Sequence, residues 1–101
     1  MKARVEPEAY ANALARAHYR CERCGAQHGL ELHHVLGRQP PVLVNDGENL
    51  MMLCKTCHGW WHANKRTALR WCAETFGADR LARLTAMRRG SKHARCAQEG
   101  Q

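Results

Sequence analysis

Long apolar runs are missing from this 101-residue chain. No stretch approaches the ~18 consecutive apolar residues of a membrane span, which excludes a spanning helix, and no charged start followed by an apolar core marks a secretory leader. Large aromatics are scarce: there are one Phe, two Tyr and three Trp, and the 45% hydrophobic content is inflated by alanine. A chain this short with so few bulky side chains buries a modest core, so folding should lean on a staple besides packing. Acid is also in short supply, with nine Asp and Glu against sixteen Lys and Arg for a net charge of +7. That balance draws the molecule towards polyanions.

Cysteine, by contrast, is plentiful. Four of the six fall as two Cys-x-x-Cys pairs, Cys21/Cys24 and Cys54/Cys57, with 29 residues between the pairs. In Cys21-Glu22-Arg23-Cys24-Gly25 the glycine can take positive φ, letting backbone N–H groups approach the sulfurs. Paired knuckles are zinc spacing; a disulfide framework and buried free thiols are the alternatives. Twenty-nine residues exceed a compact ribbon, so a folded unit should be inserted between the knuckles. The thiols are expected to be reduced, and the chain therefore reads as cytoplasmic. Cys72 reads as a small buried apolar residue, and His93 and Cys96 lack ligand spacing.

The positive charge is uneven. Residues 1–64 hold seven Lys and Arg against six Asp and Glu, whereas residues 65–101 hold nine against three. Such a block favours nucleic acid by counterion release, the alternative being a solvated helix face. Arg38, Lys65, Arg66 and Arg70 are the candidate nucleic-acid contacts.

The predicted elements begin with a packing helix from Glu6 to about Tyr19, with Pro7 in its first turn and Tyr10, Leu14, Ala17 and His18 on one face. Leu30–Leu36 reads as a strand. Residues 37–48 form a turn-rich loop through Pro40-Pro41 and Asn45-Asp46-Gly47, with a short extended piece over Val42–Val44. Asn49–Leu53 reads as the second strand. A helix follows Cys57, in which Trp60 and Trp61 cover a small core rather than stack on bases. A second C-terminal helix from about Thr67 places Leu69, Cys72, Ala73 and Phe76 on one face and ends at Gly77. A third, capped by Asp79, turns Leu81, Leu84 and Met87 inward and leaves Arg80, Arg83 and Arg88 more exposed. From Gly90 the tail is polar and expected to be mobile.

Two adjacent histidines sit within the strand Leu30-Glu31-Leu32-His33-His34-Val35-Leu36. Neighbouring strand residues point to opposite faces, so His33 and His34 must have different jobs. Fourteen residues then lead to Asn49, eight more to His58 and three more to His62. On a helix His58 and His62 lie at i and i+4, which suits two ligands of one metal ion. Spacing alone supports a metal cluster and one unassigned histidine; a set of satisfied structural histidines is the alternative.

The order His-His, Asn, Cys-His after Cys-x-x-Cys, then His, from about Cys21 to His62, resembles the HNH nucleases, the ββα-metal or His-Me finger endonucleases. It is similar to the zinc-stabilised HNH enzymes of phages and restriction systems and, in its histidine count, to colicin-type DNases. Many zinc-knuckle members place Asp where His33 stands and lack the equivalent of His62, so this chain mixes features of two branches.

The resemblance implies an α+β fold in one domain over residues 1–101. A ββα-metal core at 21–64 would be flanked by an N-terminal helix and by basic helices at 65–89, with the tail at 90–101. It implies a DNA endonuclease of low sequence specificity that leaves 3′-hydroxyl and 5′-phosphate ends. His34 would be the general base, and Asn49 would hold the loop and thereby His34. His33, His58 and His62 would bind a catalytic divalent ion (Mg²⁺, Mn²⁺, Ni²⁺, Co²⁺ or Zn²⁺), while Cys21, Cys24, Cys54 and Cys57 hold a structural Zn²⁺. Three imidazoles favour a borderline transition ion over Mg²⁺. DNA is the implied partner, with no membrane role, and the enzyme could serve a larger nucleoprotein machinery. A zinc-stabilised DNA-binding module without catalysis is the competing reading.

Overall fold

Leu50-Met-Met-Leu-Cys54 is apolar at every position, and a strand of that composition has to be covered on both faces. In the computed structural model, which describes residues 4–92 and the side chains of 4–90, it is strand β2 (Leu50–Cys54), and all of it is buried. Strand β1 (Leu30–His34) pairs with it antiparallel, from Leu30 opposite Cys54 to His34 opposite Leu50. The period-2 alternation of β2 then divides the interior. Met51 and Leu53 enter one core with Leu43, Trp61, Ala68, Cys72 and Leu84. Leu50 and Met52 enter a second with Ala13 and Ala17.

Helix α1 (Pro7–Arg16) supplies that second core and starts as expected, with proline in its first turn and Glu8 beside it. Its end comes earlier than the pattern predicts. His18 and Tyr19 both take φ of 58°, and the Tyr19 amide turns back to donate to Leu14 O at 2.9 Å. The buried stripe is also different: Ala13 and Ala17 face β2, while Tyr10 is 39% exposed and His18 lies on the surface. Methyl side chains let the helix approach the strand more closely than a tyrosine-led face would.

The other edge of β2 would be an unpaired row of backbone groups. Side chains cover it. Glu22 exchanges two bonds with Met52, its N–H donating to Met52 O at 2.8 Å and its carboxylate accepting from Met52 N at 2.7 Å. Leu50 O accepts from the guanidinium groups of both Arg16 and Arg80, the latter at 3.2 Å. Arg80 was expected to be more exposed; two backbone acceptors, Leu50 O and Glu48 O, draw it inward instead.

Three helices follow with almost no linker: α2 (Lys55–Ala63), α3 (Lys65–Phe76) and α4 (Ala78–Lys92). Asn64 alone separates the first two, donating from its side chain to Trp60 O at 3.0 Å. Gly77, at φ 101°, separates the next two in a conformation that a side chain would strain. α2 starts at Lys55, before Cys57, and α3 starts at Lys65, two residues before the predicted Thr67. Asp79 falls inside the first turn of α4, where its charge faces the helix dipole, instead of capping it. Leu84 is buried, and Leu81 and Met87 pack against the same core.

Two further expectations change. The stretch Val42–Val44 is not extended: Pro41–Leu43 forms a 3₁₀ turn that buries Leu43 and Val44. Residues 90–92, expected to belong to the polar tail, continue α4 to Lys92. His93, Cys96 and the remainder of that tail lie outside the described residues. No helix among the described residues is long and apolar enough to cross a membrane.

Candidate metal centres

The knuckle at Cys21 and the β2–α2 junction meet at the edge of the larger core. Their four sulfurs lie within 4.8 Å of one another, with Cys21, Cys54 and Cys57 buried and Cys24 exposed. The Cys24 and Cys54 sulfurs are 3.6 Å apart, close to the edge of about 3.8 Å in a tetrahedron with Zn–S bonds of ~2.3 Å. Each half uses the same local device. Arg23 N and Cys24 N donate to the Cys21 sulfur at 3.4 and 3.5 Å, and Cys57 N donates to the Cys54 sulfur at 3.4 Å. Gly25, at φ 83°, closes the first turn. Cys54 therefore ends a strand, caps α2 and supplies a thiol.

The thiols are unequal. Burial alone would raise Cys21, but backbone N–H groups at Cys24, Cys54 and Arg23 bring it down to about 6. Burial dominates at Cys57 and holds it near 12, although the Arg23 guanidinium, 3.4 Å from its sulfur, pulls the other way. Four thiols so close cannot all ionise without a cation between them, and this set fits a structural zinc ion. Arg23 also lies over the Trp60 ring at 3.6 Å, so one side chain ties the centre to the aromatic core.

The second cluster is built from β1 and α2. His33, opposite Met51, shares the face of β1 that meets α2. It is 3% exposed and rests on Trp61, with ring centroids 4.4 Å apart. His58 and His62, one helical turn apart on α2, bring their rings to 5.0 and 5.5 Å from it. One nitrogen from each lies within 4.8 Å of the others. His33 Nε2 is buried and has no hydrogen-bond partner among the described residues. Burial first, then the neighbouring His58, His62 and His34, push His33 down to about 3, so it stays neutral and keeps a lone pair. A buried ring nitrogen without a partner, beside two more imidazoles, fits a cation site.

Glu31, which the sequence reading passed over, completes this face. Its carboxylate accepts from His58 Nδ1 at 2.6 Å, leaving Nε2 as the lone-pair nitrogen. The signal was present: Glu31 stands two residues before His33, hence on the same face of the strand.

His34 is half-buried and held against the loop. A carbonyl can only accept, so its contact with Val44 O at 3.0 Å places the proton on Nε2 and leaves Nδ1 unprotonated. Burial, then the charge of Arg38, lower His34 from the ordinary histidine value against the raising effect of that carbonyl. Asn49 is wholly buried and holds the loop at three points. Its Oδ1 accepts from Leu36 N at 2.8 Å, and its Nδ2 donates to Gly37 O at 3.0 Å and Leu43 O at 2.8 Å.

Residues 21–63 match the family model described as HNH endonuclease. Over this segment the chain is similar to HNH domains. No curated protein and no solved structure matches the chain. The HNH segment contains both centres in full, together with His34, Asn49 and Arg38. Two open depressions meet at its histidines: one also carries Arg38 and His58, the other Lys65 and Arg88. Of the sequence-predicted basic contacts, Arg66 and Arg70 are exposed on α3 and line neither depression. Arg88, from α4, was not among the candidates, because nothing in its local pattern connects it to residues more than fifty positions earlier.

Trp60 and Trp61 belong to an aromatic group with Trp71, whose ring meets theirs edge-on at 6.1 and 6.4 Å. Both pack on the core, as their helical spacing implied.

Proposed function

We propose that the HNH segment is a metal-dependent DNA endonuclease of low sequence specificity. The observation carrying this reading is the buried, unpartnered Nε2 of His33, set against two more imidazoles, while the adjacent His34, with its Nδ1 unprotonated, lines the same depressions. His33, His58 and His62 would hold one divalent ion; when bound, it supplies positive charge to the scissile phosphate and the departing oxygen. Glu31 orients His58 for that task. Asn49 keeps residues 36–43 in place and so preserves the Val44 carbonyl that sets the tautomer of His34.

In the proposed reaction His34 Nδ1 takes a proton from a water molecule as that water attacks phosphorus. The bond from phosphorus to the 3′ oxygen breaks, and that oxygen acquires a proton from solvent. His34 returns its proton to solvent, leaving 3′-hydroxyl and 5′-phosphate ends. The cysteine-bound zinc would take no part beyond tying the Cys21–Cys24 turn to the β2–α2 junction. Affinity for DNA would be mainly electrostatic, since no helix presents a base-reading pattern.

The test is incubation of purified protein with supercoiled plasmid and Mg²⁺, Mn²⁺ or Ni²⁺, followed by a gel. Nicked or linear product that chelator abolishes is expected. Binding without cutting under every ion would instead identify a zinc-stabilised DNA-binding module.

A further inference from the structure

The two depressions share His33, His34, Gly37 and His62. They therefore form one trough with the histidines at its middle. Arg38 and His58 line one end, and Lys65 and Arg88 line the other. No Asp or Glu is among the lining residues.

The fate of the other cations on α4 makes this end distinctive. Arg80 is occupied by the carbonyls of Glu48 and Leu50, and Arg83 pairs with Asp46 and Glu48. Those two hold the fold together. Lys65 and Arg88 are exposed and make no ion pair among the described residues. They come from different helices, α3 and α4, yet meet in the depression that contains His34. Beside them Leu36, Leu69 and Trp61 provide an apolar wall. An anionic strand with an apolar edge to each sugar has the matching chemistry: charge for the two cations, hydrocarbon for the wall.

We infer that Lys65 and Arg88 form a second phosphate subsite, which grips the backbone of a DNA strand next to the phosphate lying at the histidines. The inference rests on the nuclease reading and adds α4, outside the matched 21–63 segment, to the substrate site. It also separates the basic residues by job. Arg66 and Arg70 contribute to the general field around the molecule, whereas Lys65 and Arg88 touch the strand.

The test is fluorescence anisotropy of the full, zinc-loaded chain with a labelled DNA duplex, in Ca²⁺ and over a range of salt. Lys65→Gln, Arg88→Gln and a charge-matched control, Arg20→Gln, are compared, with thermal melts and zinc content confirming the fold of each. Each lost phosphate contact should flatten the dependence of log affinity on log salt by about 0.9. Lys65→Gln and Arg88→Gln should each show that change and the control should not, while Arg88→Lys should restore much of the slope. Unchanged slopes in both folded variants, or an equal change in the control, overturn the subsite. Plasmid nicking by the parent is measured in parallel. If the parent binds with these slopes but cuts under no ion, the nuclease reading fails and the subsite stands.

Discussion

The cysteine and histidine centres share α2 but are finished differently. The cysteine centre is closed: it gathers four sulfurs of one chain, three of them from buried residues, and two of the four, those of Cys21 and Cys54, accept N–H bonds from their own turns. The histidine centre is open: it offers three nitrogens, with His33 buried, His58 intermediate and His62 exposed, and a trough alongside. Structural sites fill the coordination sphere with protein, whereas catalytic ones leave positions for water or substrate. A small chain thus spends one centre on holding its hairpin to a helix and keeps the other accessible.

The sharpest break in this comparison is Cys54→Ala. Structural zinc is worth about 10–16 kcal/mol in small domains, against a total stability of about 5–15 kcal/mol, so the variant should lose its cooperative melt and its zinc. Cys54 also packs in the core. Cys24→Ala, at an exposed position, should have the same result without a packing defect. A Cys24→Ala protein that melts cooperatively with its zinc still bound would show that this centre is dispensable.

His33→Ala should have the opposite selectivity. The cysteine-bound zinc should remain, while binding of the second ion and plasmid nicking are lost. Metal content and activity measured on one preparation check this, and loss of both ions together would mean that the two centres are not independent.

Next in size is His34→Ala, which should leave both ions and DNA binding nearly normal. General-base catalysis contributes about 10²–10⁴-fold, and the nicking rate should fall by that amount. A variant that cuts as fast as the parent would place the base elsewhere.

The smallest expected effect is that of Glu31→Gln. Removing a carboxylate that orients a histidine ligand costs about 10–100-fold in metal affinity. A titration of the second ion should show a shift of that size with the melt unchanged, since Glu31 is exposed. An unaltered affinity would make the Glu31–His58 bond a surface ion pair and nothing more.

The parts of this molecule that were legible in sequence are those in which geometry is local. Two Cys-x-x-Cys turns and an i, i+4 pair of histidines place their atoms through a few backbone dihedrals, and the all-apolar run Leu50–Leu53 announces a strand covered on both sides. Boundaries were less legible. α1 stops at Arg16 because His18 and Tyr19 turn left-handed, although alanine-rich sequence could have continued the helix. Pro41–Leu43 coils because Leu43 and Val44 are needed in the core beneath Asn49, which a period-2 reading of Val42–Val44 could not anticipate.

By itself, then, the sequence determined the knuckles, the hairpin, the helical histidine pair and the basic bias of the last third, since each depends on spacing or composition within a short window. Tertiary structure alone decided which distant groups serve them. The Glu31–His58 bond spans 27 positions and the Arg23–Cys57 contact 34. Arg16 and Arg80 reach one carbonyl from opposite ends of the chain, while Lys65 and Arg88 reach the trough. The physical reason is that a charged side chain on a helix surface follows no periodicity that names its partner. Whether an arginine seals a strand edge, joins an ion pair or faces a substrate depends on which acceptors the packed helices bring within reach.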